Sequence, residues 1–332
     1  MKTNALSMVL IMVFSASLYS NSFSYIQENS YDTEGINMET GKEYIYYFPL
    51  PAEIKYDSEN IYVLDASDSN IKIFSKSGEY RDIIARKGRG PGELDMPSGM
   101  DLFEDRIYIA DKMNRRIQVL DKDGGYLGGF KINFFPDRIV VLDEDRIVVS
   151  RLPLIEKSEV TMTFCFSQQG ELLWEEFDSY YSGDRVYDTF RNRINLGITK
   201  EKELIIAKKN NERNIYRYSQ EGTLLDKISI TKEYLSKEVV LPVKQRKKII
   251  NLYSEFALSD NRLYLLASQY ASNGKSKDLV PGKKIHVFDI KGNSLGEIEL
   301  PDRFKLISID GDRIYGINSD SELRILKVKE KR

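Results

Sequence analysis

The chain has 332 residues, 41% of them hydrophobic and 30% charged, a length and mix that can bury a sizeable core. Its 49 basic and 51 acidic residues nearly cancel and are dispersed, which argues against a nucleic-acid backbone as the main partner. Cys165 is the only cysteine, so no internal disulfide can form and packing alone must hold the fold.

The N-terminus reads as a targeting segment. MKTNALSMVLIMVFSASLYSNSFS carries one early cation, Lys2, then an apolar run from Leu6 to Tyr19, then small residues. The run is short for a bilayer crossing and has the form of a signal-peptide core. Ser22 and Ser24 suit a cut before Tyr25, and Ser15 and Ser17 suit an earlier one. A retained membrane anchor is the competing reading. With no cysteine near the cut, a lipoprotein-type anchor is excluded. The expected organisation is a leader over 1–24, a linker over 25–40 and one folded domain over 41–332, exported to the periplasm or beyond. Membrane contact is then confined to passage.

From about Thr40 onward one phrase recurs. IYVLD (61–65), IYIAD (107–111), IVVS (147–150), LIIA (204–207), LYLLA (263–267) and IYGIN (314–318) are β-branched and aromatic runs, hence strands. A polar turn precedes each, and a second apolar run follows each: IKIF, IQVL, MTFCF, IYRY, IHVF and LRIL. The first five second runs lead into turns at Gly78, Gly124, Gly170, Gly222 and Gly292, where glycine supplies the positive φ of a tight hairpin. A further strand follows each of these turns. The unit is a four-stranded antiparallel meander of about 40–60 residues, a propeller period. Six units predict an all-β, six-bladed β-propeller. Strands are lettered a to d from the centre outward.

The last unit stops after its third strand, ELRILKV (322–328), and EYIYYF (43–48) is an orphan strand before the first unit. The expectation is that 43–48 completes the last blade and closes the ring, leaving no open seam. GRGPGELDMP (88–97) connects blades one and two. A phosphate loop needs a helix after it, whereas strands follow here, so the glycines and Pro91 are read as turn residues.

Residues 88–130 closely resemble the NHL repeat. Gly90, Pro91, Gly92, Pro97, Ala110, Asp111, Asn114, Arg116, Ile117, Gln118, Val119, Asp121 and Gly124 match its pattern, blade one matches it partly, and the later units are only similar. The resemblance implies a six-bladed ring that binds other molecules on one face. It also implies a structural role for Asp111 and Arg116, tying strand b to the b–c turn. Exported bacterial propellers look like the nearest relatives.

All long connections are d–a or b–c: 86–96, 150–161, 178–193, 231–252 and 268–284. In a meander those two classes emerge on one face, where insertions usually serve binding. DSYYSGDRVYDTFRNR (178–193) gathers Tyr180, Tyr181, Arg185, Tyr187, Phe190, Arg191 and Arg193, residue types that favour contact hot spots and also suit sugars or carboxylates. The competing reading is a loop that buries its own aromatics. VKQRKKIINLY after Pro242 suggests a short helix with its basic cluster solvated.

Catalytic residues are few. His286 alone excludes His-rich zinc sites, and NGKS (273–276) lacks the remainder of a Walker motif. One enzymatic alternative remains, a calcium-type lactonase or esterase. Six-bladed gluconolactonases and paraoxonases hold a cation in the central channel with residues at inner-strand starts. Here those starts lie near Glu53, Ser98, Asp137, Asn195, Glu255 and Lys305, and Glu53, Asp137, Asn195 and Glu255 are oxygen donors suited to a hard cation. The main expectation is a monomeric, cofactor-free binding module for a protein or an extracellular glycan.

Overall fold

A computed structural model describes residues 22–30, 47–154, 158–208, 214–230, 238–240, 248–250, 253–267, 269–272, 277–280 and 282–330. Blade one comprises Pro51–Tyr56, Asn60–Asp65, Asn70–Ser75 and Tyr80–Ile84, hydrogen-bonded in that order. Blade two comprises Gly99–Phe103, Arg106–Asp111, Arg116–Asp121 and Tyr126–Lys131. Blade three runs through Pro136–Val141, Ile147–Arg151, Thr161–Phe166 and Leu172–Asp178, and blade four through Ile194–Ile198, Leu204–Lys208, Asn214–Tyr218 and Leu224–Ser229. Blades five and six share one continuous 17-residue strand, Ser294–Asp310, which begins as strand d of the fifth and ends as strand a of the sixth. Tyr253–Ser259, Arg262–Ala267 and Gly282–Asp289 precede it, and Arg313–Asn318 and Leu323–Glu330 follow.

Period-two alternation makes this a ring. In strand b of blade one, Ile61 and Val63 join an apolar cluster with blade six while Tyr62 and Leu64 join one with blade two. Blade two repeats the division, with Ile107 and Ile109 facing blade one and Tyr108 and Ala110 facing blade three. The alternation continues through Val148, Ile205, Tyr264 and Tyr315, so that each neighbouring pair of blades shares one core. The sixth of these cores joins Leu306, Tyr315, Ile317, Leu323 and Ile325 to Ile54, Ile61, Val63 and Phe74, and it closes the circle. In blades one and three strand d is an exposed edge, and its outward charges, Arg81 and Asp82 or Glu175 and Glu176, oppose edge-to-edge pairing.

The c–d turns behave as their glycines require, with φ near +85° at Gly78, Gly124, Gly170, Gly222 and Gly292. In blades two to five the turn also touches the strand d before it. A Cβ added at Gly170 would lie 2.6 Å from Phe130 Cγ, and one at Gly222 would lie 2.8 Å from Trp174.

Three expectations need correction. The strand at the outer edge of the last blade is Ser22–Ser30, antiparallel to Leu323–Glu330 from Phe23↔Glu330 to Ser30↔Arg324. Part of the stretch read as leader and linker is therefore strand. Of 43–48, the described residues are Tyr47 and Phe48. Tyr47 bridges Glu322, and Phe48 N–H donates to Ser321 O at 2.9 Å. They meet the last blade at its b–c turn, on the path into blade one, where Phe48 is fully buried as a plug between the first and last blades. The free backbone edge of 323–330 is left for the earlier segment. Lastly, Lys248–Ile250, assigned to a helix from sequence, pairs as a short strand with Glu238–Val240, and residues 241–247 lie outside the described set.

The register pairs Ile26 with Lys327. Replacing both by cysteine in a Cys165→Ser background should give spontaneous intramolecular cross-linking on mild oxidation and a raised Tm on a non-reducing melt. A pair that stays reduced, with an unchanged melt, would place another segment at that edge.

Candidate functional site

The d–a loop at 86–98 resembles an anion cradle in composition, yet the chain fills it from within. Glu93 Oε2 accepts the N–H groups of Arg89 and Gly90 at 3.1 and 2.9 Å, and its Oε1 accepts from Arg86 Nε at 3.0 Å. These bonds hold the Glu93 carboxyl below its usual range. Beneath it, fully buried Asp111 accepts from Arg116 Nε at 2.7 Å, Asn114 at 2.8 Å and Gln118 at 3.1 Å. Arg116 also donates to the carbonyls of Arg89, Gly90 and Glu93. The role of Asp111 and Arg116 is structural. Asp111→Ala would leave several buried donors without an acceptor and should cost about 2–4 kcal/mol in urea denaturation, against less than about 0.5 kcal/mol for exposed Arg89→Ala.

The insertion 178–193 carries the helix α1, Arg185–Arg191, started by Asp184, whose carboxylate accepts from Tyr187 N–H. Asp188, fully buried, accepts from Ser182 N–H and Oγ, and Asn192 both donates to and accepts from the Tyr180 backbone. These bonds fold the insertion on itself. Tyr187 is buried, its hydroxyl accepts from Arg191, and its ring meets Tyr180 edge-on at 6.2 Å. The Arg191 guanidinium covers the Tyr180 ring at 3.9 Å. Of the seven residues gathered there, Tyr187 and Arg191 are thus internal supports, and Tyr181 and Phe190 are half-buried. Tyr180, Arg185 and Arg193 face solvent.

The six inner strands enclose a central cavity of about 290 Å³. Glu53, Asn195 and Glu255 line it as expected, but Arg138 enters in place of Asp137, which is absent from the lining. A bulge explains the substitution. Pairing slips by one residue at Pro51/Glu53, Pro136/Ile139, Tyr253/Glu255 and Phe304/Leu306, at the start of four inner strands, and re-aims the residue that follows. Arg138 Nη1 donates to Ala52 O at 3.0 Å and Glu53 Oε2 at 3.3 Å, while Nη2 lies 3.7 Å from Glu255 Oε2. One layer further along, Lys55 pairs with Asp101 at 3.0 Å. Lys305 turns away to Ser321 Oγ, and Ser98 Oγ donates to Pro136 O.

This arrangement does not suit a calcium ion. The carboxylates of Glu53 and Glu255 converge on a guanidinium, which stands where the cation would, and no group of three or more His, Cys, Asp or Glu side chains suited to a metal occurs among the described residues. Other catalytic groups are equally poor. Cys165 is fully buried and burial pushes its thiol up to about 12. Burial lowers the His286 pKa against the opposing pull of Glu297, whose Oε1 lies 3.1 Å away.

Fold and site together define a β-propeller with a channel braced by its own ion pairs and one elaborated face. The chain belongs to the DUF5128 family, described as a 6-bladed beta-propeller, whose model matches residues 25–239. It is 33% identical over 89 residues to human NHL repeat-containing protein 3, a match covering 25% of this chain and 26% of that protein's length. Among solved structures it is similar to a DUF4221 family member from Bacteroides vulgatus (TM-score 0.64, 12% identity, 94% of this chain and 99% of that one). It is also similar to an exported protein from Bacteroides fragilis (TM-score 0.59, 12% identity, 93% and 95% covered). A gluconolactonase from Xanthomonas campestris gives a TM-score of 0.57 at 14% identity, covering 86% and 88%. At such identities these likenesses show the fold alone.

Burial raises the Glu53 pKa, and Lys55 and Arg138 only partly offset this. A carboxyl whose folded pKa exceeds its unfolded value favours the folded state at low pH and loses that contribution as pH rises through the folded pKa. Arg138→Met removes one offset and raises that pKa further. Its stability deficit, about 2–4 kcal/mol at pH 8, should shrink at pH 4.5 when chemical denaturation is followed at both values. A deficit that grows on acidification would contradict the pairing.

Proposed function

We propose that the protein is an exported, non-enzymatic binding module that takes a protein or an extracellular glycan on the face bearing the d–a and b–c loops. The observation that carries this reading is the insertion 178–193. Hydrogen bonds from Ser182, Asp188 and Asn192 tie the insertion to itself, while Tyr180, Arg185 and Arg193 remain outward, along with Val186 at 50% exposure. A contact surface built on a fixed loop loses little entropy on association, and Tyr and Arg are efficient contact residues. Export is supported by the form of the N-terminus. The described residues include no helix long and apolar enough to cross a membrane. The hydrolase alternative is weaker, because Arg138 takes up the carboxylates that a channel metal would need.

Cross-linking capture from the native cell envelope tests the choice of surface. The triple variant Tyr180→Ala, Arg185→Ala, Arg193→Ala should lose most of the captured partner at unchanged Tm, whereas Asp105→Ala on the opposite face should not. Equal capture by both would move the contact away from this loop.

A further inference from the structure

We infer that the central channel holds a second binding site, for a small neutral polyhydroxylated ligand of monosaccharide size, organised around Asn195. Asn195 is the second residue of strand a of blade four, is only 3% exposed, and lines the cavity. Neither its Oδ1 nor its Nδ2 has a hydrogen-bond partner among the described residues. A buried primary amide left unmatched is costly, and native interiors rarely tolerate one. Its neighbours on the wall are not orphaned in this way, since Arg138 and Glu53 pair and Glu255 accepts from Phe256 N–H at 3.0 Å.

The chemistry of the wall selects the ligand. Glu53, Glu255 and Asp101 against Lys55 and Arg138 leave one net negative charge, which disfavours phosphates and carboxylates. The guanidinium between Glu53 and Glu255 displaces a hard cation. An apolar guest would leave Asn195 as unsatisfied as before. A hydroxyl both donates and accepts, so adjacent hydroxyls can satisfy Oδ1 and Nδ2 together and donate further bonds to the two carboxylates. The volume of about 290 Å³ lies at the small end of ligand pockets and admits one sugar ring. Glu53, Arg138, Asn195 and Glu255 all lie within the first three residues of their strands, so the site sits near the mouth on the long-loop face. Either a free sugar or the terminal residue of a longer glycan presents this chemistry.

Calorimetry and thermal shift on the intact exported chain test the inference. The probes are glucose, galactose, mannose, N-acetylglucosamine, short oligosaccharides of the same sugars, calcium chloride and sodium phosphate. At least one neutral saccharide should raise Tm in proportion to its occupancy, and an oligosaccharide binding as tightly as its monomer would identify a glycan end as the ligand. Asn195→Leu and Asn195→Ala should each weaken that binding at least tenfold, with Asn195→Leu melting no lower than the parent because it removes the unmatched amide. Absence of saccharide binding, binding that survives both substitutions, or a response to calcium or phosphate alone would overturn the inference. The site does not rest on the insertion at 178–193. The triple variant Tyr180→Ala, Arg185→Ala, Arg193→Ala should keep its saccharide affinity, so either surface can fail without the other.

Discussion

Every blade of this molecule is apolar on both faces, and a sheet of that kind cannot end against water. Strand b of blade one alone commits Ile61 and Val63 to one neighbour and Tyr62 and Leu64 to the other. A linear stack would leave two such faces exposed, each a large apolar patch that a soluble protein does not sustain. A closed ring is the solution that covers both, and it forces the two ends of the chain to meet. Without a disulfide to join them, closure depends on backbone pairing of Ser22–Ser30 with Leu323–Glu330 and on the apolar core shared by blades six and one.

Closure also fixes what function can use. With the faces of the blades consumed by packing, side chains for recognition are left at the loop face and along the inner strands. The two regions obey different physics. On the loop face, exposure is unavoidable and the problem is order, solved in the insertion by Asp188 and Asn192, which tie both ends of the loop together. In the channel, order comes from six rigid strands and the problem is charge, solved by Arg138 between two carboxylates and by Lys55 against Asp101. Burial opposes the Lys55 ammonium, yet Asp101 and Glu53 outweigh it and hold Lys55 charged above its usual range. The channel is an ion-pair lattice that the fold itself completes.

The blades were legible in the sequence because their signals are local. Turn glycines recur after the third strand of the first five blades, and IYVLD and IYIAD carry alternation that a two-sided core demands. The tie between Asp111 and Arg116 was legible only through the resemblance to the NHL repeat. What escaped depends on non-local geometry. Both Ser22–Ser30 and 43–48 have strand-like composition, and only the free edge of the last blade decides between them. Asp137 and Arg138 are adjacent, and a bulge of one residue determines which reaches the channel, a feature that alternation cannot register. A bulge recurring at Pro51/Glu53 and Tyr253/Glu255 is a signal that becomes visible only once blades are superposed. The helix α1 was missed for a third reason. Seven residues carry too little periodicity, and its start is set by the Asp184 cap.

A common pattern links the Gly-Pro-Gly loop and the channel. In the loop, backbone N–H groups that could hold an anion already hold Glu93. In the channel, carboxylates that could hold a cation already hold Arg138. Each charged cradle is closed by a side chain of opposite sign from the same chain, which stabilises the fold and removes the strongest non-specific attractions to ions. Recognition then rests on groups that are polar but uncharged, or on aromatic surface whose geometry is fixed beforehand. Asn195 with its unmatched amide and Tyr180 with its covered ring belong to those two kinds. Selectivity in such a protein comes from shape and hydrogen-bond matching, and the long-range charge field contributes little, consistent with a formal net charge of −2.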